Sequence, residues 1–287
     1  MSRRVLVAGA GAFAARGLAE RLEASGWDVV QVSRSSGDDV CNLESCVDGG
    51  FDAVVNFVIL SGEGAGRNVD FIRGLERFCM RHGVRRLVHI SSMGVFRNCE
   101  AKADETTPIE ADALLKGRYS SIKVAQEQAL AADSAKAGGY ETVIVRPGVI
   151  VGENGETRTG GVCVRIGRRF GVLLGNGRTT LPVVSRSVLH EAVVRILAER
   201  SPRHVYHVFG DGGTTKMAFA RDVLGVRCMP LPKGLIILLA RLAGALRLIG
   251  RSRVSQIEGL FKETLYSSSA SAAALSVEMG QTSEHLW

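Results

Sequence analysis

Short apolar runs that alternate with amphipathic stretches are the feature that most restricts how this chain can fold. Each run is bounded by glycine or polar residues, which is typical of buried strands. The predicted strands cover 5–8, 27–32, 53–60, 86–91 and 141–146, and the predicted helices cover 13–25, 43–48, 68–82 and 119–137. Because strands that alternate with helices form a parallel sheet covered on both faces, the sequence predicts an α/β, Rossmann-like, doubly wound fold.

The pattern changes after Pro147. A glycine-rich loop is predicted over 152–161, helices over 187–199 and 217–224, a strand over 205–209 and a helix-rich stretch over 233–265, whereas the tail after Ser267 shows a weak pattern. We therefore expect a dinucleotide-binding lobe over residues 1–150, with strand contributions from about 180–210. A smaller, helix-rich substrate lobe is expected over 151–287.

A glycine loop stands at the first strand-to-helix turn, where Gly9-Ala-Gly11-Ala-Phe13 follows the first apolar run. Glycine at such a turn lets the backbone approach a pyrophosphate, and the N-terminus of the following helix favours its charge. Two glycine places of the usual pattern hold alanine, at Ala12 and Ala15. The loop predicts dinucleotide binding, and an ordinary glycine turn is the alternative.

Tyr119-Ser-Ser-Ile-Lys123 is the sharper chemical signal. Residues four apart share one face of a helix, so the lysine ammonium is expected beside the phenol, where it would lower the tyrosine pKa. Tyr119 is therefore a candidate general acid/base. Ser92 ends the fourth predicted strand, and the carboxyl ends of parallel strands border the ligand crevice, so its hydroxyl is a candidate to hold a substrate oxygen.

These features, in this order, resemble the short-chain dehydrogenase/reductase superfamily, and most closely its extended branch, the NAD-dependent epimerase/dehydratase family. The resemblance covers about residues 4–210 and also includes Asp39-Val-Cys-Asn42, Asn68-Val69 and Ile144-Val-Arg-Pro-Gly-Val-Ile-Val-Gly152. It implies that Tyr119 is the catalytic acid/base, that Lys123 holds the nicotinamide ribose, and that Ser92 positions the reacting oxygen. It further implies that Asp39 contacts adenine and that residues 146–149 line the nicotinamide.

The resulting set of expected cofactor contacts combines the glycine loop, the end of the second strand and the resemblance. It comprises Gly9, Gly11, Ala12, Phe13, Ser33, Arg34, Asp39, Val58, Asn68, Tyr119, Lys123, Pro147 and Val149. Three places depart from the family pattern: the alanines of the glycine loop, Val58-Ile59 in place of a pair of small residues, and Arg186-Ser187 in place of a valine-aspartate pair.

The cofactor prediction is NADP, with NAD as the alternative. Strand two is followed by Ser33 and Arg34, with no carboxylate at either position. A carboxylate there binds the ribose hydroxyls of NAD, whereas an arginine accommodates the extra phosphate of NADP. The alternative is that Arg34 is a solvated turn residue, or that it stacks on adenine without selecting a cofactor.

The main functional hypothesis is an NAD(P)-dependent enzyme acting on a nucleotide-sugar, by keto-sugar reduction or by epimerisation. One rival is a reductase of a lipid-like or steroid-like alcohol, suggested by the apolar segment 234–250. Another is a cofactor-binding protein without turnover, suggested by the alanines of the glycine loop. Fold alone does not decide among them.

Composition limits the partners. The net charge of +7 favours anionic ligands, but the aromatic content of 6% and the absence of a long basic run argue against nucleic acid.

The cysteines have no C-x-x-C pair, which indicates a reducing, cytoplasmic location. No metal site is expected, and His204 and His207 are interpreted as structural. Arg241 and Arg247 interrupt the segment 234–250, so it predicts a core or peripheral helix rather than a stable membrane span. These observations leave a homodimer open.

Overall fold

The computed structural model describes residues 3–97, 102–134, 139–157, 162–210, 214–246, 248, 250, 254, 257 and 264–279. Its strands are β1 (Arg3–Ala8), β2 (Trp27–Val32), β3 (Ala53–Asn56), β4 (Arg86–Ile90), β5 (Lys102–Ala103), β6 (Glu141–Pro147), β7 (Val149–Val151), β8 (Val164–Ile166), β9 (Phe170–Leu174), β10 (Thr180–Leu181), β11 (Val183–Ser185), β12 (Val205–Val208), β13 (Thr214–Thr215), β14 (Arg227–Leu231) and β15 (Leu265–Tyr266). Its α-helices are α1 (Leu18–Ala24), α2 (Ala65–Arg81), α3 (Arg118–Ser134), α4 (Arg186–Ala198), α5 (Lys216–Asp222), α6 (Lys233–Ala245) and α7 (Ser269–Leu275).

The central sheet has six strands in the order β12-β6-β4-β3-β1-β2, and all neighbouring pairs are parallel. Alternate side chains of β1 enter opposite cores, because side chains alternate across a strand. Val5 and Val7 pack in the core that contains Leu18 of α1, whereas Leu6 packs in the core that contains Phe71 of α2. The predicted doubly wound α/β fold is confirmed.

Three predicted elements differ from the structure. The short helix expected over 43–48 is a 3-10 turn at Leu43–Ser45. The expected helix over 13–25 is divided into a 3-10 turn at Phe13–Ala15 and α1, because Gly17 between them has φ +86°. The expected strand over 53–60 ends at Asn56. There the Asn56 side chain accepts a hydrogen bond from the Val58 amide at 2.9 Å, which turns the chain out of the sheet.

The chain beyond Pro147 contributes both to the core of the central sheet and to a separate mixed sheet. The helix α4 and the final stretch, through Leu275 and Val277, pack into the same core as Val5. The tail after Ser267 therefore contains a short helix that the sequence pattern alone did not indicate. A separate mixed sheet with the order β14-β9-β8 lies over a third core that includes Leu173 and Phe219. The stretch predicted as helix-rich thus follows a sheet, and the division into two lobes at about residue 150 stays a prediction.

None of the helices in the described part of the chain is long and apolar enough to cross a membrane. The helix α6 covers the first 12 residues of the apolar segment 234–250, and Arg247 of that segment lies outside the described residues.

Candidate active site

An open cleft of about 1310 Å³ lies along the carboxyl ends of the central strands. Segments that follow β1, β2, β3, β4 and β6 all border it, as expected for a ligand crevice in an open parallel sheet. The sequence-predicted residues that line it are Gly9, Gly11, Ala12, Phe13, Ser33, Arg34, Val58, Ser92, Tyr119, Lys123, Pro147 and Val149. Asp39 and Asn68 do not line it.

The glycine loop is held against the sheet by close backbone contacts. Gly9 has φ +81°, and a Cβ at this position would lie 3.0 Å from the amide nitrogen of Val58. A Cβ at Gly11 would lie 2.6 Å from the Oγ of Ser35. Glycine at 9 is therefore required by both conformation and space, whereas glycine at 11 lets the loop approach the turn after β2.

The turn after β2 presents hydroxyls and one arginine to the cleft. The buried Ser33 hydroxyl lies 2.7 Å from the hydroxyls of Ser35 and Ser36. The backbone amide of Ser33 donates to the carboxylate of Asp38 at 3.0 Å. The first carboxylate after Arg34 in the sequence is therefore hydrogen-bonded to the backbone. Arg34 is exposed and lines the cleft.

Asp39 and Asn68 act on local structure in this fold. The Asp39 carboxylate accepts from the Cys41 amide at 2.9 Å in an exposed turn. The fully buried Asn68 side chain accepts from the Leu60 amide at 2.9 Å and donates to the Gly64 carbonyl at 3.0 Å. Asn68 thereby fixes the loop after β3, of which Val58 lines the cleft, rather than bordering the cleft itself.

Ser92 and Tyr119 meet in the cleft. The side chain of Ser92 accepts from the Gly94 amide at 3.1 Å and is hydrogen-bonded to Tyr119. Gly94 allows this approach, because a Cβ there would lie 2.5 Å from the hydroxyl of Ser120 at the start of α3. Tyr119 is 53% exposed, so its ring faces the open cleft.

The pKa of Tyr119 differs from the sequence expectation. Desolvation of its hydroxyl end raises the pKa above the usual value, and the hydrogen bond with Ser92 only partly opposes this. The expected lowering by Lys123 is wrong for this structure. The Lys123 side chain is buried and its Nζ donates to the Ile90 carbonyl at 2.7 Å, at the end of β4. A raised pKa keeps the phenol in its protonated form and makes it a weaker acid than an ordinary tyrosine.

Burial dominates the chemistry of Lys123 as well. Desolvation lowers its pKa from 10.5 to about 7, although the negative charge of Glu127 raises it. Nearby, burial and the charge of Lys123 lower the pKa of His89 well below its usual value, so the imidazole is neutral. The Nδ1 of His89 lies 3.0 Å from the Asn56 side-chain nitrogen, which ties β4 to β3 below the cleft.

A buried ion pair behind the cleft was missed at the level of sequence. Arg146 Nη2 donates to Glu127 Oε2 at 2.7 Å and Arg146 Nε to Glu127 Oε1 at 3.1 Å, and the Ser91 hydroxyl donates to the same carboxylate. The pair joins α3 to the ends of β4 and β6. The available signal was the spacing of four residues between Lys123 and Glu127, which places both on one face of α3.

The wall opposite the glycine loop comes from the second half of the chain. Val149 donates its amide to the Pro182 carbonyl at 2.7 Å, and a Cβ at Gly148 would collide with that carbonyl. Thr264 and Tyr266 also line the cleft. Their part was not predicted, because Thr264 falls in the stretch 233–265 that was expected to be helix-rich, whereas Tyr266 lies in β15, a short strand that pairs with β5.

The fold and the cleft together define a protein of the Rossmann class with its binding site at the strand ends. The model of the NAD dependent epimerase/dehydratase family matches residues 5–209. The chain therefore belongs to this family, whose cofactor is a nicotinamide dinucleotide. No curated protein matches the chain in sequence.

Solved structures of low sequence identity share the fold. MoeE5 in complex with UDP-glucose and NAD is 18% identical with a TM-score of 0.69, over 99% of this chain and 96% of that one. The human epimerase family protein SDR39U1 with NADPH is 20% identical with a TM-score of 0.63, over 99% of both chains. UDP-glucose 4-epimerase from Bifidobacterium longum, in complex with NAD+ and UDP, is 16% identical with a TM-score of 0.66, over 99% of this chain and 96% of that one.

The residues of the cleft fit a nicotinamide dinucleotide. Gly9 packs closely on Val58 and Gly11 on Ser35, and both glycines line the cleft, where bare backbone lets a pyrophosphate approach. A cleft of about 1310 Å³ is larger than the roughly 300–1,000 Å³ of usual ligand pockets, so it has room for a dinucleotide beside a second ligand. Arg34 and Ser33 border the end where the adenosine ribose would lie.

Proposed function

We propose that this protein is an NAD(P)-dependent oxidoreductase or epimerase that acts on a nucleotide-activated sugar. The observation that carries the proposal is the meeting of Ser92, Tyr119 and Lys123 with the glycine loop in one cleft. The solved relatives with bound UDP-glucose or UDP support the choice of substrate class.

Each polar side chain has a distinct task in this proposal. Tyr119 gives or takes the proton of the reacting sugar oxygen, and Ser92 holds that oxygen by a hydrogen bond. Lys123 lines the cleft, and its Nζ, which donates to the Ile90 carbonyl, has further N–H donors for the ribose hydroxyls of the cofactor. The nicotinamide, when bound, supplies the hydride acceptor or donor at its ring C4.

The direction of reaction proposed is reduction of a keto-sugar. Tyr119 lines the cleft, where its phenol can donate a proton to the carbonyl oxygen of a keto-sugar. The exposed Arg34, with Asp38 bonded to the Ser33 amide, favours NADPH, the cofactor of net reductions. Epimerisation through transient oxidation is the alternative within the same machinery.

The test begins with a mass-spectrometric screen of nucleotide-sugars against reduced and oxidised forms of both cofactors. On the substrate found, Tyr119→Phe removes only the phenolic hydroxyl and should lower kcat by about 10²–10⁴-fold, as expected for loss of a general acid. Cofactor binding, measured by calorimetry, should be retained.

Tyr140→Phe is the matched control. Its hydroxyl donates to Glu76 at 3.1 Å, and Tyr140 does not line the cleft, so kcat should be unchanged. Turnover of no nucleotide-sugar would overturn the substrate class. An unchanged kcat in Tyr119→Phe would overturn the role of the tyrosine, and cofactor binding without any turnover would support the non-catalytic rival.

A further inference from the structure

The mixed sheet β14-β9-β8 has an apolar face turned to solvent. In its register Val164 pairs with Val172 and Ile166 with Phe170, and Met229 pairs with Val172 from the other side. Because directly opposed residues share a face, these side chains form one surface, defined here as the outer face. Val164, Ile166, Phe170 and Met229 are each 58–63% exposed.

The opposite face of the same sheet is the one that packs inward. Leu173 lies on it, is fully buried and belongs to the third core. A sheet with one covered face normally presents polar side chains to water on the other. Four neighbouring large apolar side chains on the outer face instead mark an interaction surface.

The helix that follows this sheet also exposes large apolar side chains to solvent. The helix α6 begins two residues after the end of β14 and carries Leu238 and Leu242, and Leu246 follows directly after its end. These leucines stand at successive intervals of four, and each is more than half exposed. Ala240, on another side of the helix, is buried. The three leucines therefore form an exposed stripe along α6.

The two stretches of chain that carry these surfaces are basic. Residues 162–178 contain four basic residues and residues 223–257 contain six, and neither stretch contains an acidic residue. Arg227 pairs in register with Phe170 on the outer face, and Arg168 and Arg169 are exposed in the turn that connects β8 to β9. A dimer that joined two copies of this surface would bring arginines against arginines, which is unfavourable.

We propose that the outer face and the α6 stripe dock the protein on the surface of a bilayer with anionic headgroups. The apolar side chains enter the boundary between headgroups and acyl chains, and the arginines around them bind the headgroups. Neither the family assignment nor the cleft implies this contact with a bilayer, because the proposed docking surface lies on a different part of the molecule from the cleft.

The experiment is co-sedimentation of the full chain with phosphatidylcholine vesicles, with and without phosphatidylserine. We expect binding only to vesicles that contain phosphatidylserine, weakened by added salt. Arg168→Gln/Arg169→Gln should weaken binding about 30-fold, because each arginine near an anionic surface contributes a factor of about five. Phe170→Ser should weaken it about tenfold through the lost apolar burial.

Matched controls lie on α2. Met80 is 52% exposed, and Arg73 and Arg77 are exposed, so Met80→Ser and Arg73→Gln/Arg77→Gln remove similar groups outside the proposed surface and should not change binding. Absence of binding to anionic vesicles, or equal binding to neutral ones, would overturn the proposal. A dimer in analytical ultracentrifugation that Phe170→Ser abolishes would also overturn it, since the surface would then be a protein interface.

Discussion

Replacing Glu127 by glutamine should destabilise the protein strongly while changing almost no volume. The side chains of Glu127 and Arg146 are 2% and 6% exposed, and the carboxylate is the hydrogen-bond partner of both Arg146 Nε and Arg146 Nη2. Among the described residues, Arg146 Nη1 already has no partner. A neutral amide in place of the carboxylate leaves the guanidinium buried without a counter-charge, which costs about 3–5 kcal/mol.

The loss would be a large fraction of the about 5–15 kcal/mol that holds a typical domain folded. Urea unfolding followed by circular dichroism measures it. Arg195→Gln is the control, because Arg195 is half exposed and its i, i+4 pair with Glu191 should contribute at most about 0.5 kcal/mol.

A double variant distinguishes the free-energy cost of an unpaired buried charge from the cost of the lost contacts. Glu127→Leu/Arg146→Met removes both charges and should recover most of the lost stability, because well-packed apolar residues often replace a buried ion pair without loss. A loss below about 1 kcal/mol in Glu127→Gln, or a double variant as unstable as the single one, would refute the reasoning, since it would show that the guanidinium finds water or another partner.

Two further predictions concern Lys123 and Arg34. The pKa of Lys123 falls from 10.5 to about 7 on folding, so above pH 7 the unfolded chain holds the proton that the folded protein has lost, and stability rises with pH between these values. Lys123→Met should therefore gain more stability at about pH 6 than at about pH 9 in urea unfolding, and equal differences would contradict the shift. For Arg34→Asp, calorimetry should show weaker NADP binding and stronger NAD binding, whereas tighter NAD than NADP binding in the parent protein would reverse the proposed cofactor preference.

Local patterns in the sequence were sufficient for the sheet. The strands β4 and β6 lie within one residue of their predicted bounds, because a buried strand of a parallel sheet needs a short, mostly apolar run. The same patterns placed the glycine loop after β1 and Ser92 after β4, and the structure brings both to the cleft with Tyr119 and Lys123. The catalytic roles of these residues stay predictions.

Contacts between distant parts of the chain decided the rest. The spacing of Tyr119 and Lys123 placed them on one helix, but the pKa of each depends on how deeply the fold buries it. The pKa of Lys123 depends also on Glu127, whose partner Arg146 stands on another element. Asn68 fits a family motif, yet only the packed loop after β3 shows that its amide is used there. Periodicity reports the face that a residue occupies, whereas desolvation and hydrogen-bond partners exist only once the chain is folded, which is why the apolar outer face also became visible only in the tertiary structure.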